Sequence, residues 1–460
     1  MREFLTIERI DPTKRGVVQR LKDFSEIYEP VEPYEASAQS DRCIQCGDPF
    51  CLNKCPLHNY IPQWLKAVAE KDLKFAFNLS NEPSPFPEVM GRICPHDRLC
   101  EGDCTLNDGH GAITIGSVET FINEEGFKHG MKPFFPGITT DKKVAIIGSG
   151  PAGLSAATYL LRSGISVTMY ERSDRAGGLL TYGIPGFKLD KKIVERRLGF
   201  LVEAGLKLVL NCDVGHDKEF DSIADEHDAV FIGIGATKAK HANLVGEKAL
   251  NVHDAMDYLT AIQRKNFGSS YDKKFDFKDL EVVVVGGGDT AMDCVRTAKR
   301  EGAKNVTCVY RRDAFNMPGS QKEYKNAVEE GVEFSFHASP KEVLLGDNHK
   351  AIGVHFTKTL LGAKDSSGRQ KMEEVKGSDF NIKADVVIFA LGFDPVVPPF
   401  LAENGIAVNA WGGIVIDDKF QTSTPGIYAG GDCYRGADLV VTAAYDGREA
   451  ARAIAKSLLG

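Results

Sequence analysis

Val144-Ala145-Ile146-Ile147-Gly148-Ser149-Gly150-Pro151-Ala152-Gly153 reads as a short apolar strand, a glycine loop and the start of a helix. The same pattern returns at Val282-Val283-Val284-Val285-Gly286-Gly287-Gly288-Asp289-Thr290-Ala291. Apolar runs of this length form the buried strands of parallel sheets. In the first copy Gly148 permits the tight turn, Gly150 lets backbone approach a pyrophosphate, and Gly153 lets helix and strand pack closely. The helix that follows offers amide donors and the positive end of its dipole to phosphate groups. One such loop alone is weak evidence, but two in one chain imply two dinucleotide-binding domains.

The residues downstream separate the two sites. After the first loop, Val167-Thr168-Met169-Tyr170-Glu171 is a second strand ending in an acid about 20 residues on, placed to accept hydrogen bonds from ribose hydroxyls. After the second loop, Val306-Thr307-Cys308-Val309-Tyr310 ends in Arg311-Arg312, with no acid. Arginine accommodates a ribose 2'-phosphate that a carboxylate would repel, so the second nucleotide is expected to be NADP(H).

Working outward, the strand Ala384-Asp385-Val386-Val387-Ile388-Phe389-Ala390-Leu391-Gly392 and the later Gly426-Ile427-Tyr428-Ala429-Gly430-Gly431-Asp432 suggest a first domain that the second interrupts and the C-terminus completes. The segment ahead of both is different. It carries many Pro, Asn and Asp residues, and Ile61-Pro62-Gln63-Trp64-Leu65-Lys66-Ala67-Val68-Ala69 has apolar residues at helical spacing, with Pro62 in the first turn. The fold class predicted is α/β: two Rossmann-like domains, one inserted in the other, preceded by a small helical domain. The boundaries expected are 1–140 for the helical domain, 141–255 and 395–460 for the interrupted domain, and 256–394 for the insertion.

At 460 residues and 43% apolar content the chain fills several cores. A formal charge of -8 and a pI near 5.8 argue against nucleic acid as the main partner. No apolar run approaches the ~20 residues that span a bilayer, and Met1-Arg2-Glu3-Phe4-Leu5-Thr6 has no signal-peptide core, so a soluble cytoplasmic protein without membrane attachment is expected. No Ser/His/Asp triad is recognisable, and the histidines show no metal spacing.

Seven of the eleven cysteines stand in two runs, Cys43-x2-Cys46-x4-Cys51-x3-Cys55-Pro56 and Cys94-Pro95-x4-Cys100-x3-Cys104. In a reducing compartment such clusters are metal ligands sooner than disulfides. Zinc is served by C-x2-C pairs, of which Cys43/Cys46 is the single example, whereas short spacings followed by proline suit iron–sulfur clusters. Two four-iron clusters need eight ligands, so seven thiols leave one position open. Cys212, Cys294 and Cys308 read as buried small residues, and Cys433 has no C-x-x-C partner for a dithiol mechanism.

With the glycine loops, Gly177-Gly178-Leu179-Leu180-x-Tyr182-Gly183-Ile184-Pro185-x-Phe187-Lys188-Leu189, Tyr310-Arg311-Arg312 and Gly430-Gly431-Asp432 in view, essentially the whole chain resembles the small (beta) subunits of NADPH-dependent glutamate synthase. The NADPH-binding half of dihydropyrimidine dehydrogenase and the flavoprotein subunit of ferredoxin–NADP transhydrogenases share the arrangement. The resemblance implies FAD in the interrupted domain, at Gly148, Gly150, Pro151, Ala152, Gly153, Glu171, Gly178, Leu179, Lys188, Val214, Gly431, Asp432, Leu439, Val440, Val441 and Thr442. It implies NADPH at Gly286, Gly288, Asp289, Thr290, Ala291, Arg311, Arg312, Ala390 and Gly392. From sequence alone Leu439-Val440-Val441 is an ordinary core run.

The same resemblance assigns Cys43, Cys46, Cys51 and Cys104 to one 4Fe-4S cluster and Cys55, Cys94 and Cys100 to a second. Its eighth ligand is a side-chain oxygen in an Ile-Gly-x-x-Glu/Gln context, which Ile115-Gly116-Ser117-Val118-Glu119 matches, so Glu119 is the candidate. The function implied is transfer of electrons from NADPH through FAD and two clusters to a glutamate synthase large subunit, with cofactor positioning and no side-chain acid or base. The alternatives are another electron-accepting protein such as ferredoxin, and a non-enzymatic, zinc-stapled interaction protein.

Overall fold

A computed structural model of the chain describes residues 3–364 and 370–460. Met1 and Arg2, which open the N-terminal stretch considered above, lie outside the described residues.

Before Lys143 the described elements are helical, among them Ile61–Ala69, Leu73–Asn81, Pro87–Ile93 and Ile115–Lys128. In Ile61–Ala69 the apolar residues recur on one face, and Ile61, Trp64, Leu65 and Val68 are all buried. They pack with Phe77, Val118 and Ile122 into a small core, against which Cys43, Cys51 and Cys104 rest. The module's core is thus apolar on one side and sulfur-lined on the other.

The two glycine-loop units open two separate five-stranded parallel sheets. The first has the order Ile427–Ala429, Ala229–Ile232, Lys143–Ile147, Ser166–Tyr170, Lys207–Val209, with Val144 opposite Val167 and Ile427 opposite Val230. The C-terminal strand therefore completes a sheet begun nearly three hundred residues earlier. The second has the order Val252–Asp254, Val386–Phe389, Glu281–Val285, Asn305–Tyr310, Glu333–Phe336, so it takes in residues slightly ahead of position 256. An antiparallel sheet of Ala338–Leu345, Ala351–Lys364, Gln370–Glu374 and Phe380–Lys383 is appended to it. The two chain crossings between the domains, Lys238–Ala239 and Phe393–Asp394, pair with each other antiparallel.

Helices Pro151–Arg162 and Val440–Leu459 lie along each other over the first sheet, and Ser155 Oγ donates to the Ala444 carbonyl at 2.6 Å. The helical domain is fastened to the first dinucleotide domain by buried polar contacts. Arg448 Nη1 donates to the carbonyls of Leu57 and Pro83, both at 2.9 Å, and Arg197 Nε donates to Glu88 Oε1 at 2.7 Å. Arg197 and Glu88 are 1% and 0% exposed, so this ion pair is sealed between domains. No described helix is long and apolar enough to cross a membrane.

Candidate functional site

The first glycine loop forms one wall of a large open cleft. Gly148, Gly150, Pro151, Ala152, Glu171, Gly178, Leu179, Val214, Gly431, Asp432, Leu439 and Val440 all line it. Gly153 sits behind the loop, where a Cβ would stand 2.0 Å from the Gly148 carbonyl oxygen, so only glycine allows this helix to start so close to its strand. Thr442 does not line the cleft; its hydroxyl donates to the Leu439 carbonyl at 2.7 Å and so steadies the first turn of the C-terminal helix.

Glu171 is held in place by three hydrogen bonds from the protein. Its Oε2 accepts from the Ser149 hydroxyl at 2.5 Å and the Ser149 amide at 3.1 Å, and its Oε1 accepts from the Ser173 amide at 2.8 Å. A carboxylate has about four lone-pair sites, so three such bonds leave room for a ribose hydroxyl. Across the cleft, burial pushes Asp432 up to about 7, against a hydrogen bond from the Asp438 backbone that lowers it. The positioning role of Ser149 was not legible in the glycine pattern, where that place is an unspecified x.

Lys188 lies elsewhere. Its Nζ donates to Asp293 Oδ1 at 2.9 Å and stands 3.9 Å from Glu323, in a buried ion network that continues through Arg296 to Glu330. It joins the two dinucleotide domains rather than lining the flavin-sized cleft. A long-range ion pair leaves no local mark in the sequence.

In the second domain, Gly286 has φ 153° and a Cβ there would meet the Ala390 carbonyl oxygen at 2.4 Å, so loop and following strand end approach as closely as backbone allows. Gly288 precedes the helix Asp289–Arg300, whose first turn holds Asp289, Thr290 and Ala291. Gly392 adjoins the crossing strand Phe393–Asp394, and its carbonyl accepts from the Lys240 amide at 3.0 Å. Arg311 and Arg312 follow the strand Asn305–Tyr310. Arg311 is exposed, and the buried Nε of Arg312 has no hydrogen-bond partner while its Nη2 reaches the Gln370 carbonyl at 3.3 Å. An orphaned guanidinium donor beside an exposed arginine fits a phosphate ester.

The cysteines divide between two cavities. Cys43, Cys46, Cys51 and Cys104 line one, walled by Ile44, Phe50, Leu65 and Ile113. Cys55, Cys94, Cys100 and Glu119 line another, with Leu57, Asn59, Met90 and Val441. All seven thiols are free. Among the described residues no three His, Cys, Asp or Glu side chains form a group suited to a single metal ion.

Burial in the second cavity disfavours charged side chains. Burial pushes the Cys55, Cys94 and Cys100 thiols up, and it raises Glu119 to about 8 although Asn59 Nδ2 donates to Glu119 Oε1 at 2.6 Å. Ser84 Oγ and His96 Nε2, both on this cavity, are buried without partners. In the first cavity burial pushes Cys43 to about 11 and Cys51 to about 12, while Gln45 Nε2 points at Cys43 Sγ from 3.3 Å. Three thiols and a carboxyl around one cavity fit an iron–sulfur group, whose iron ions would supply the positive charge that their ionised forms need there.

Asn59 and Val441 escaped the sequence reading for different reasons. Asn59 is fixed by Trp64 Nε1, which donates to its Oδ1 at 3.2 Å, and it meets Glu119 sixty residues away. Val441 belongs to the run expected at the flavin, yet it faces the second cysteine cavity. Cys433 is buried, its Sγ bonded to the Gly430 carbonyl at 3.3 Å.

Two dinucleotide folds joined to a cysteine-lined module define a pyridine-nucleotide-dependent flavin oxidoreductase with iron–sulfur centres. Residues 142–447 match the pyridine nucleotide-disulphide oxidoreductase family, and residues 20–131 match dihydropyrimidine dehydrogenase domain II, 4Fe-4S cluster. The glutamate synthase [NADPH] small chains of Escherichia coli strain K12 and Halomonas elongata are each 47% identical over 460 residues, covering 98% of this chain and 98% and 97% of theirs. Mycobacterium tuberculosis FprA in complex with NADPH shares the fold, with a TM-score of 0.59 at 18% identity over 69% of this chain and 85% of that one. The chain belongs to the glutamate synthase [NADPH] small chain family. It is an NADPH-dependent oxidoreductase that uses FAD and 4Fe-4S chemistry, which sets aside the non-enzymatic zinc-stapled reading.

Proposed function

We propose that the chain takes electrons from NADPH at the Gly286–Ala291 loop, passes them to FAD in the Gly148–Gly153 cleft, and sends them through two 4Fe-4S clusters to a glutamate synthase large subunit that makes glutamate from glutamine and 2-oxoglutarate. The flavin, when bound, accepts an electron pair and the clusters accept electrons singly. The chain's own residues do the positioning. Glu171 and Asp432 hold opposite sides of the flavin cleft, while Arg311 and Arg312 select the 2'-phosphate.

Cys55, Cys94, Cys100 and Glu119 hold the cluster next to the flavin, and Cys43, Cys46, Cys51 and Cys104 the one beyond. The observation that carries this order is the start of the helix Val440–Leu459: Leu439 and Val440 line the flavin cleft, and Val441 lines the second cysteine cavity. The apolar side chains keep water out of the gap between the two groups. Asn59 holds Glu119 toward the iron, and a hard oxygen ligand retunes that cluster relative to four thiolates.

The test is anaerobic mixing with NADPH while flavin and cluster absorbance are followed together, on protein purified with whatever chains accompany it. The proposal expects both chromophores to bleach and a large glutamate synthase subunit to co-purify. Efficient reduction of ferredoxin with no such subunit would move the acceptor to the transhydrogenase alternative. A cytoplasmic location is part of the same proposal.

A further inference from the structure

The loop between two of the cysteines in the second cavity reaches into the other nucleotide domain. Cys94 and Cys100 flank the turn His96–Arg98, and both polar tips of that turn contact the second dinucleotide fold. Asp97 Oδ1 accepts from the Ser320 hydroxyl and its Oδ2 from the Gln321 amide, both at 3.1 Å, which caps the helix Gln321–Glu329. Arg98 Nη1 donates to the Pro318 carbonyl, and its Nη2 stands 3.4 Å from Asp289 Oδ2.

Asp97 makes the docking contacts, and Arg98 does something different. Its ion pair with Asp289 is long and half open to solvent, the two side chains being 39% and 36% exposed. Asp289 is itself engaged, its Oδ1 accepting from the Ser320 amide at 2.9 Å. It opens the helix that follows Gly288, and nothing stands within 4 Å of where a Gly288 Cβ would be. A diphosphate on this loop would find amide donors and a positive helix end, but also the negative charge of Asp289. A guanidinium has five N–H donors. Arg98 commits one to Pro318 and one loosely to Asp289, so it has donors and charge to offer an anion at the loop.

We propose that Arg98, a residue of the iron–sulfur domain, binds the diphosphate of the nicotinamide nucleotide held on the Gly286–Ala291 loop. The inference rests on the NADPH assignment made above. The nucleotide site is then completed across the domain boundary, by a side chain on the same short loop that carries Cys94 and Cys100.

Calorimetric titration of the flavin- and cluster-loaded chain with two non-reducing ligands tests it. One is 2'-phospho-adenosine diphosphoribose, which has the diphosphate; the other is adenosine 2'-monophosphate, which lacks it. Arg98→Gln retains a donor for Pro318 without the charge, and Arg98→Ala serves where the glutamine variant fails to load its cofactors. Either is expected to weaken the diphosphate ligand about ten- to a hundredfold, the range for a hydrogen bond to a charged group, and to leave adenosine 2'-monophosphate unchanged. Arg98→Lys should recover part of the loss. Equal weakening of both ligands, or of neither, overturns the proposal. Failure of the wild-type chain to bind either ligand would instead remove the NADPH assignment, and this inference with it.

Discussion

Val440 and Val441 are consecutive residues at the start of one helix, yet Val440 lines the flavin-sized cleft and Val441 lines the cavity of Cys55, Cys94, Cys100 and Glu119. The first turn of this helix therefore borders both spaces. The helix carrying them is held to the cysteine module by Arg448, so the separation is set by rigid contacts and not by a loop.

The proposed serial order of the centres has a direct consequence. Cys94→Ala should destroy the cluster next to the flavin and leave the four-thiol cluster assembled but cut off. NADPH would then bleach flavin alone in rapid-mixing absorbance, while dithionite still reduces the remaining cluster. Reduction of that cluster by NADPH at the wild-type rate would show that the flavin reaches it by another route.

For nucleotide choice, Arg311→Ala combined with Arg312→Ala removes the charge at the end of the second strand. The KM for NADPH should rise about tenfold or more while that for NADH changes little, because only the former has a 2'-phosphate. Steady-state kinetics with both nucleotides decides; equal effects would place the arginines outside the nucleotide site.

The seal between the helical domain and the flavin domain depends on Arg197 and Glu88. Arg197→Ala leaves the Glu88 carboxylate buried without its counter-charge, a loss of about 3–5 kcal/mol in comparable buried pairs. The unfolding midpoint should fall markedly, and limited proteolysis should release the cysteine module first. An unchanged midpoint would mean that water reaches Glu88.

His253 makes the insertion domain acid-sensitive. Its ring packs between Phe275 and Phe277, at centroid distances of 4.9 and 5.9 Å, and burial, reinforced by Lys274, lowers it from 6.5 to about 4. A histidine that binds its proton less tightly when folded leaves stability intact above 6.5, where both states are neutral. Stability is lost progressively as pH falls from 6.5 to about 4, where the unfolded chain takes up a proton that the folded one refuses, and the loss then levels off. Thermal melts across this window should show His253→Gln with a flatter pH dependence than wild type; parallel curves would exclude the histidine as the source.

The parts legible in the sequence are those whose cause is local. The strand–glycine–helix units, the arginine pair that follows the strand Asn305–Tyr310 and the helix Ile61–Ala69 each follow from short-range spacing, and the first unit lines the flavin-sized cleft. The partition of cysteines is not local: Cys104 lines the cavity of Cys43, and Cys55 that of Cys94, so spacing alone divides the runs wrongly and only the family resemblance suggested the interleaving. Lys188 shows the converse. It stands in a recognisable motif, but its partners Asp293 and Glu323 lie more than a hundred residues on, and the attraction of two buried carboxylates decides where the ammonium goes.

The central claim is that seven thiols and Glu119 hold two four-iron clusters, and the most direct measurement is iron and acid-labile sulfide per FAD in anaerobically purified wild-type and Glu119→Ala protein, with low-temperature EPR of the reduced state. The account predicts about eight iron and eight sulfide per flavin in the wild type, and in the variant a lost or altered signal from one cluster with the other unchanged. Identical iron content and identical spectra in the two proteins, or zinc in place of iron, would contradict it.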